Sequence, residues 1–573
     1  MEIILRAEDL SSKYENKKKL QIGKNKFQFS SRKSIGLHPC SFEIRKNSMV
    51  AILGPTGCGK STLLKTLIGL NPIYSGKVYI EGHDLSLNYE KLKSYIGYVP
   101  QNDRDAIHFD LTVIQCLTFS ARLRLPDLET KHQNTKIEYI LKKLNLYQEK
   151  DKLIKNLSGG QQKRVSIAVE LLIDPIILFL DEPTSPLDPQ TIADFLLMLR
   201  SLTILGTTVV MVTHKPEDLE YMDECIFMGI GGFFAYKGNK NSIYSYFNKS
   251  NILEIYKLLN SSKTSIYGRN YYLNNSLSPK KKISSNLKLH SMRNINYFSQ
   301  LFYLSLRLIQ RKLNDYESLL VTLLQAPTIA LLMSLIFPTI NNIVLFFIVI
   351  SAIWFGTNNS SKEIVSEKAI FTRERMYNQG IIPYILSKLL ILTSIGIFQS
   401  ILFITILSIH FNNNKVVLSK VFFVFSWMSL SIFISSLFGL FLSAISNSSE
   451  KVMGIIPIAL IPQIMISGVI AKITSSSVIK YFSYFTIARW STTGLARIQN
   501  KIENSISPQI ISSLNSLKPT MGDTYESYFK LNNSDFSLEL IVLLLHGLVY
   551  FIFIYFSLKI RDIHYRQKIN IRF

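Results

Sequence analysis

Two patterns of apolar residues divide the chain. In roughly the first 240 residues, short β-rich runs at 77–80, 176–180 and 207–212 alternate with stretches of helical periodicity. Such alternation predicts an α/β domain with a largely parallel sheet, placed here at residues 1–250. The second half instead contains long runs without Lys, Arg, Asp or Glu. These runs predict an all-α membrane domain, because about 20 helical residues cross the hydrocarbon layer.

The uncharged runs predict six transmembrane helices within residues 317–560. Pro338 and the pair Asn341 and Asn342 mark a turn between the first two spans, and the second span is the shortest. Residues 472–538 are predicted to form a long outer loop. The predicted spans are 319–337, 343–356, 385–409, 421–445, 453–471 and 540–558.

The segment between the two domains has a different composition. Residues 251–295 are rich in Ser, Asn and Lys, which predicts a polar, basic linker. Residues 296–316 then place Phe298, Leu304 and Leu308 near helical spacing, with basic residues at other positions. This pattern predicts an amphipathic connecting helix, which either lies along the cytosolic membrane face or packs on the soluble domain.

The positive charge is concentrated near the predicted spans. The 573-residue chain has a formal net charge of +24, of which residues 1–250 contribute +6, residues 251–320 contribute +8 and residues 321–573 contribute +10. Basic residues in short loops and tails face the cytosol. Both termini, including the basic tail at 561–573, are therefore predicted to be cytosolic, in a multi-pass protein of the plasma or bacterial inner membrane. This distribution indicates contact with a lipid bilayer and argues against a nucleic-acid partner.

The four cysteines lie in the first domain, at positions 40, 58, 116 and 225. Their spacing suits neither a metal site nor a disulfide framework, so we expect reduced thiols in a cytosolic domain. The N-terminal residues lack a basic segment followed by an apolar stretch. No cleavable signal peptide is therefore expected.

A glycine-rich motif follows the apolar run at 49–53 and precedes a helical run. It has the spacing GxxxxGK[ST] of a phosphate-binding loop. Its backbone N–H groups would bind phosphate, Lys60 would contact the β and γ phosphates, and Ser61 would bind Mg²⁺. The nine residues of the motif are Gly54, Pro55, Thr56, Gly57, Cys58, Gly59, Lys60, Ser61 and Thr62.

Two carboxylates follow the apolar run at 176–180. Asp181 is placed to hold Mg²⁺, and Glu182 to orient or deprotonate an attacking water. Strands often end in acidic residues, so this pair alone would be a weak signal. Together with the phosphate-binding loop, it predicts a site that hydrolyses a nucleotide.

Residues 157–168, LSGGQQKRVSIA, resemble the signature motif of ATP-binding cassette (ABC) proteins. The rest of that family's ordered set is present, with Gln101 in YVPQ, Asp188 in SPLD and His214 in VMVTH. The resemblance implies ATP and Mg²⁺ as cofactors. It also implies a P-loop fold in which a parallel core carries an antiparallel subdomain and a helical subdomain.

The resemblance also assigns roles to single residues. Gln101 would bind Mg²⁺, sense the attacking water and relay to the membrane domain, and His214 would contact the γ-phosphate. Together with Glu182 they form the expected catalytic set. Asp188 is an expected nucleotide-binding residue, and Tyr14 is a candidate for stacking on adenine. The signature residues that would complete the ATP site of a second subunit are Ser158, Gly159, Gly160 and Gln161.

The order of the domains narrows the resemblance. An ATP-binding domain followed by the spans resembles the G subfamily (White type) of half-transporters. Residues 367–375, EKAIFTRER, followed by Tyr377 and Lys388, resemble the segment that couples the two domains in that subfamily. Pro186 stands where the subfamily usually has Gly, and residues 472–538 lack the cysteines of eukaryotic members. Both departures favour a bacterial-type relative.

The sequence therefore predicts an ATP-hydrolysing exporter that acts as a dimer of half-transporters. A homodimer is favoured over a heterodimer, because one chain carries every motif of the ATP site. Uncharged spans favour a lipid-like or uncharged amphipathic substrate. One alternative is a membrane ATPase that remodels a partner or lipid without transport. Another is a chromosome-structure ATPase, against which the spans and the lack of long heptad arms count.

Overall fold

The short apolar runs of the first half form strands in the computed structural model. The structure describes residues 2–15, 19–23, 26–30, 33–185, 187–276, 287, 296–338, 342–411, 418–467, 478–503 and 536–560. The strands are β1 Ile3–Glu15, β2 Lys19–Gly23, β3 Lys26–Ser30, β4 Lys33–Arg45, β5 Met49–Leu53, β6 Ser75–Ile80, β7 His83–Asp84, β8 Ile96–Val99, β9 Ile177–Asp181, β10 Thr208–Val212, β11 Glu224–Gly229 and β12 Phe233–Asn239.

A six-stranded sheet carries the elements of the predicted site. Its strand order is β12-β11-β5-β10-β9-β8. The five strands from β11 to β8 are parallel, and β12 pairs antiparallel with β11. Strands β5, β9 and β10 are buried along their whole length, as expected for a parallel sheet covered on both faces. A second, antiparallel sheet has the order β4-β1-β6-β7, and β2 pairs with β3. The predicted parallel core and antiparallel subdomain are confirmed.

Helices of the first half begin at recognisable capping residues. Thr112 with Gln115, and Ser158 with Gln161, each form a capping box in which side chain and backbone bind reciprocally. Helices α3 to α5 lie between β8 and β9 in the chain and form the predicted helical subdomain. The helices are α1 Lys60–Ile68, α2 Leu85–Leu92, α3 Val113–Arg124, α4 Thr130–Lys143, α5 Gly159–Leu171, α6 Pro189–Ile204, α7 Ile243–Phe247, α8 Ile252–Leu259 and α9 Thr264–Ser276.

The first part of the predicted linker is folded. Residues 252–276 form α8 and α9, and α9 packs on β12 and β4. Ile255 and Leu259 are fully buried, one helical turn apart. The polar composition of this region masked that spacing, so the structure extends the first domain beyond residue 250. The rest of the predicted linker lies outside the described residues except for residue 287.

Helices of the second half follow the uncharged runs and extend past them. They are α10 Tyr297–Asn314, α11 Tyr316–Ile336, α12 Asn342–Ser360, α13 Lys368–Arg375, α14 Ile381–Phe411, α15 Leu418–Ile445, α16 Ser449–Met465, α17 Val478–Ser483, α18 Ile487–Glu503 and α19 Ser537–Ile560. Within the described part of the chain, five helices are long and apolar enough to cross a membrane. They are 316–336, 343–360, 381–411, 421–445 and 537–560.

The predicted fifth span, at 453–471, differs from the other five. It corresponds to α16, which has 17 residues and contains Pro457 and Pro462. Proline removes a helical hydrogen bond and crowds the preceding turn, although helices in membranes tolerate it. The end of this predicted span lies outside the described residues. Its crossing of the membrane stays a prediction, whereas five of the six predicted spans have suitable helices.

The predicted outer loop contains a packed helix. In α18, Leu495 and Ala496 are buried in the same apolar cluster as residues of α12, α14 and α15. The predicted connecting helix is α10, whose Leu304 and Leu308 are buried and which packs on α14. Whether α10 also lies along a membrane face stays a prediction.

The chain divides into two units. The first comprises residues 1–295, 372–379 and 563–573, and the second comprises residues 296–371 and 380–562. Residues 372–379, which we call the inserted segment, thus count with the first unit although they lie between α12 and α14 in the chain. The tail at 561–573 lies outside the described residues.

Candidate functional site

The glycine-rich loop connects β5 to α1 at the parallel core. Gly54, Gly57 and Gly59 have φ values of 147°, 80° and 99°, a region in which only glycine is free of strain. Lys60 is buried, and its Nζ donates hydrogen bonds to the carbonyl oxygens of Gly54 at 2.8 Å and Pro55 at 3.0 Å. The lysine ammonium therefore lies along the loop that the motif assigns to phosphate. Helix α1 begins at the end of this loop, where its dipole favours an anion.

Gly54 allows the loop to approach β11 closely. A Cβ at this position would lie 2.2 Å from the carbonyl oxygen of Met228, at a φ that L-residues avoid. We therefore expect Gly54→Ala to destabilise the full chain by about 3 kcal/mol through overlap and backbone strain. The control is Gly206→Ala, because Gly206 has φ +103° but no atom near its Cβ position. Thermal unfolding of the purified protein would measure both, and equal losses would contradict the close approach.

The loop residues Thr56, Cys58 and Thr62 differ in how far their side chains are exposed. The Cys58 side chain is buried in the core, and burial raises the pKa of its thiol. Thr62 is also buried, whereas Thr56 is exposed. The Cys58 side chain is therefore not available to the site, and its backbone N–H donates to the carbonyl oxygen of Pro55 at 3.4 Å. The cysteines at 40, 58, 116 and 225 are all buried, and in the part of the chain that the structure describes none of them forms a disulfide.

A hydroxyl and a carboxylate meet where α1 faces the end of β9. The Oγ of Ser61 donates a hydrogen bond to Oδ1 of Asp181 at 2.9 Å. Asp181 is the last residue of β9 and is almost fully buried. Hydroxyl and carboxylate oxygens are ligands that suit Mg²⁺, which commonly takes few protein ligands beside substrate phosphates and water. The residues present therefore fit the predicted Mg²⁺ site.

Two of the three predicted catalytic residues, Gln101 and His214, converge on the carboxylate of the third, Glu182. The Nε2 of Gln101 donates a hydrogen bond to Oε2 of Glu182 at 2.9 Å. The Nδ1 of His214 lies 3.7 Å from the same oxygen. Glu182 has φ +48° and its backbone N–H donates to the carbonyl of Val212. The carboxylate thus stands between a glutamine and a histidine that are both exposed.

The signature residues form the start of α5, beside the start of α6. Ser158 is exposed and caps α5. A Cβ on Gly160 would lie 2.9 Å from Cγ2 of Thr191, so only a small residue fits between the helices. Asp188 caps α6, accepting hydrogen bonds from the N–H and hydroxyl of Thr191. Gln161 accepts a hydrogen bond from the Ser158 N–H, so its side chain completes the cap.

Lys163, which was not among the predicted site residues, holds the backbone of Gln101 in place. Lys163 is fully buried, and its Nζ donates to the carbonyl oxygens of Pro100 and Gln101 at 3.2 and 3.0 Å. The same Nζ lies 3.0 Å from Oδ1 of Asp103, which also accepts from Ser166. Lys163 and Ser166 stand one turn apart on α5, a spacing that could have marked them as a polar face turned inward.

Two candidates fall outside what the structure describes. The backbone of Tyr14 belongs to β1, but its side chain is not among the described ones, so adenine stacking stays a prediction. Pro186 also lies outside the described residues. The remaining predicted site residues divide into a group around Lys60 and Glu182 and a group around Ser158 and Asp188.

Comparison with known proteins matches two family models to this chain. Residues 37–185 match the model described as ABC transporter, and residues 299–500 match the model described as ABC-2 type transporter. Among the similar proteins is the ABC transporter ATP-binding/permease protein Rv1747 of Mycobacterium tuberculosis. It is 29% identical over 78% of this chain, which spans about half (54%) of that relative.

Two other relatives each match about a third of the chain. The glutamate/aspartate import ATP-binding protein GltL of Escherichia coli is 37% identical over 31% of this chain and 74% of its own length. The broad substrate specificity ATP-binding cassette transporter ABCG2 of Sus scrofa is 42% identical over 30% of this chain and 27% of its own length.

Proposed function

The chain belongs to the ABC transporter family, and from this premise we propose that it is an ATP-hydrolysing exporter of a lipid-like or uncharged amphipathic compound. The observation that carries the ATPase proposal is the convergence of Gln101 and His214 on Glu182, in the same unit as the Ser61–Asp181 pair. The five apolar helices of the second unit support the membrane part of the proposal.

ATP binding uses charge at the glycine-rich loop. Lys60 exchanges its carbonyl partners for the β and γ phosphates, which are stronger acceptors for an ammonium. Ser61 and Asp181 would hold Mg²⁺, which would supply positive charge to neutralise the transferred phosphoryl group. The loop N–H groups and the α1 dipole complete the phosphate cradle.

Hydrolysis then depends on the position of one water molecule. Glu182 accepts a proton from this water as its oxygen attacks the γ-phosphorus, the bond from that phosphorus to the bridging oxygen breaks, and ADP and inorganic phosphate leave. Gln101 holds the Glu182 carboxylate in place by donating to its Oε2. His214 lies close enough to Glu182 to contact the same phosphoryl group. The strained backbone of Glu182 fixes its carboxylate at this point.

A second copy of the chain completes each ATP site. Ser158 is exposed at the N-terminus of α5 and Gly159 is half-buried, so their donors are available to a γ-phosphate held by the other subunit. One chain carries both halves of the site, which favours a homodimer with two competent sites. ATP then closes the dimer and hydrolysis reopens it.

The proposed placement in the membrane follows from the charge distribution. The termini face the cytosol of the plasma or bacterial inner membrane, because the basic segments flank the apolar helices on that side. The ATP sites are then on the cytosolic side, where ATP is available.

The proposed substrate class follows from the side chains inside the second unit. Gln399 is fully buried and bonds to Asn359 at 2.7 Å and to the carbonyl of Thr322 at 2.7 Å. Uncharged polar groups of this kind suit an amphipathic compound better than an ion. Buried hydroxyl side chains of α12, α14 and α15 are Ser351, Thr357, Ser360, Ser400, Ser431, Ser435 and Ser436.

The proposed function is tested by ATP hydrolysis of the purified full chain in lipid nanodiscs. We expect Mg²⁺-dependent hydrolysis that phospholipids or neutral amphipathic compounds stimulate. Stimulation by small ionic solutes alone would contradict the substrate class. Absence of hydrolysis under every condition would contradict the ATPase.

Ser61→Ala tests the Mg²⁺ pair. Removing this hydroxyl leaves Asp181 without its partner at 2.9 Å, and we expect the Mg²⁺ concentration for half-maximal hydrolysis to rise about 10-fold. Ser201→Ala, on the exposed face of α6, is the control and should not change it. An unchanged Mg²⁺ dependence in Ser61→Ala would remove Ser61 from the site.

A further inference from the structure

A carboxylate buried in the first unit binds four groups at once. Glu170 lies near the end of α5 and is fully buried. Its Oε1 accepts a hydrogen bond from Arg124 at 3.1 Å and lies 2.6 Å from Nη2 of Arg373. Its Oε2 accepts hydrogen bonds from the backbone N–H of Tyr98 at 3.1 Å and from the Tyr377 hydroxyl at 2.7 Å. Each carboxylate oxygen thus has two partners.

The cluster is charged and its hydrogen-bond directions are fixed. Burial raises the pKa of Glu170, but the guanidinium groups of Arg124 and Arg373 outweigh burial and hold that pKa below its ordinary value. Glu170 is therefore ionised at neutral pH. Burial, together with the neighbouring carboxylate, raises the pKa of Tyr377, so its hydroxyl stays protonated and donates. Arg124 also lies over the Tyr377 ring, 4.0 Å from its centroid.

Stability alone does not account for such a cluster. Buried ion groups lose their hydration, and well-packed apolar residues often replace them without loss of stability. Glu170 is fully buried, so solvent does not hydrate its charge. The ionic partners therefore point to a need for directional bonds between defined elements.

Glu170 touches both elements that position the catalytic groups. It lies on α5, the helix that begins beside Ser158 and that holds the backbone of Gln101 through Lys163. Tyr98, whose N–H binds Glu170, precedes Gln101 by three residues. A displacement of α5 or of the Gln101 region therefore acts directly on the Glu170 carboxylate.

The other two partners belong to the inserted segment. Arg373 and Tyr377 lie within residues 372–379, which count with the first unit. Peptide bonds join the segment on both sides to residues of the second unit, and α13, Lys368–Arg375, runs across the boundary. Arg373 is therefore joined to α12 through α13 and residues 361–367, and to α14 through residues 376–380.

We propose that Glu170 is the positioning residue through which ATP-driven movement of α5 and Gln101 reaches Arg373 and Tyr377 and, through them, the membrane helices. The inference rests on the proposed function, because it assigns the link between ATP closure and the membrane domain to one carboxylate. Glu170 itself does not bind ATP. It acts only by holding the inserted segment to α5.

The tryptophans of the chain provide a native readout of this link. All three, Trp354, Trp427 and Trp490, lie in the second unit, and the first unit has none. ATP binds to the first unit, so a change in tryptophan emission on ATP binding reports transmission between the units. Excitation at the long-wavelength edge of the tryptophan absorption band, where ATP does not absorb, isolates this signal.

The experiment uses the full chain in nanodiscs, with Glu182→Gln as the parent so that ATP binds without turnover. Binding of a labelled ATP analogue and tryptophan emission with unlabelled ATP are measured on the same samples. We expect Glu170→Gln, Arg373→Met and Tyr377→Phe to bind ATP as the parent does. Their emission change should fall by about threefold or more. Tyr377→Phe removes a single hydroxyl and keeps the ring, so it stays informative if Glu170→Gln fails to fold.

Two further variants separate positioning from general damage. Arg373→Lys keeps the charge and should restore part of the response lost in Arg373→Met. Arg375→Met is the matched control in the same segment, because Arg375 bonds to the Gln379 carbonyl and not to Glu170 in the contacts described. It should keep the parental response.

The experiment distinguishes failure of the proposed role of Glu170 from failure of the proposed function. A full emission response in ATP-bound Arg373→Met and Tyr377→Phe would overturn the role of Glu170 and leave the proposed ATPase intact. Failure of the parent to bind ATP would overturn the proposed function itself.

Discussion

Glu182→Gln is expected to lower ATP hydrolysis by about 100-fold or more while ATP still binds, because a positioned general base contributes at least that much. Glutamine keeps the size of the side chain and its bond with Gln101, but it cannot accept the proton of the attacking water. ATP should therefore stay bound, and the dimer should stay closed. Phosphate release and retention of a labelled nucleotide by the reconstituted protein would measure both effects.

The matched control is Glu138→Gln. Glu138 is exposed on α4, so the same chemical change there should leave hydrolysis unaltered. Undiminished turnover in Glu182→Gln would remove this carboxylate from the catalytic set. A loss of nucleotide binding together with turnover would instead indicate that Glu182 supports the fold of the loop.

Lys60→Met is expected to weaken ATP binding by about 10- to 100-fold, the effect of losing hydrogen bonds to a charged group. Methionine has a similar length but no charge, so the carbonyls of Gly54 and Pro55 also lose their donor. Hydrolysis should fall with binding, and excess ATP should restore only part of it. Equilibrium binding of a fluorescent ATP analogue to the full chain would measure the affinity.

Lys91→Met is the control for loss of a lysine charge. Lys91 is exposed near the end of α2, and its replacement should not change ATP affinity. If Lys60→Met bound ATP as tightly as the unchanged protein, the loop would not cradle phosphate in the proposed way.

The parts of the fold and site that sequence predicted are those coded by short motifs. The loop at 54–62 contains its glycines, lysine and serine within nine residues, and Asp181 with Glu182 follows an apolar strand. Parallel strands bring their carboxyl ends to one edge of the sheet. The positions of Ser61 after β5 and of Asp181 at the end of β9 therefore suffice to predict that the two side chains lie close together. The five long apolar helices could also be predicted from the sequence, because a lack of charged residues over about 20 positions has few other causes.

The parts that sequence did not predict depend on pairs far apart in the chain. Glu170 binds Arg373 across about 200 residues, and no local pattern in either segment indicates the other. Lys163 belongs to the signature segment, but its burial and its bond to Gln101 depend on how α5 packs, which the segment alone does not predict. The helices at 252–276 were missed because polar residues outnumber the buried Ile and Leu that hold them.

The most direct test of ATP-driven export is accumulation of fluorescent phospholipids and neutral amphipathic dyes in inverted membrane vesicles that contain the full chain. We predict that at least one of these probes accumulates only with ATP and Mg²⁺, and that vesicles with Glu182→Gln accumulate none. ATP hydrolysis without accumulation of any probe, or equal accumulation in both kinds of vesicle, would contradict export and favour an ATPase that acts on a partner or on the bilayer.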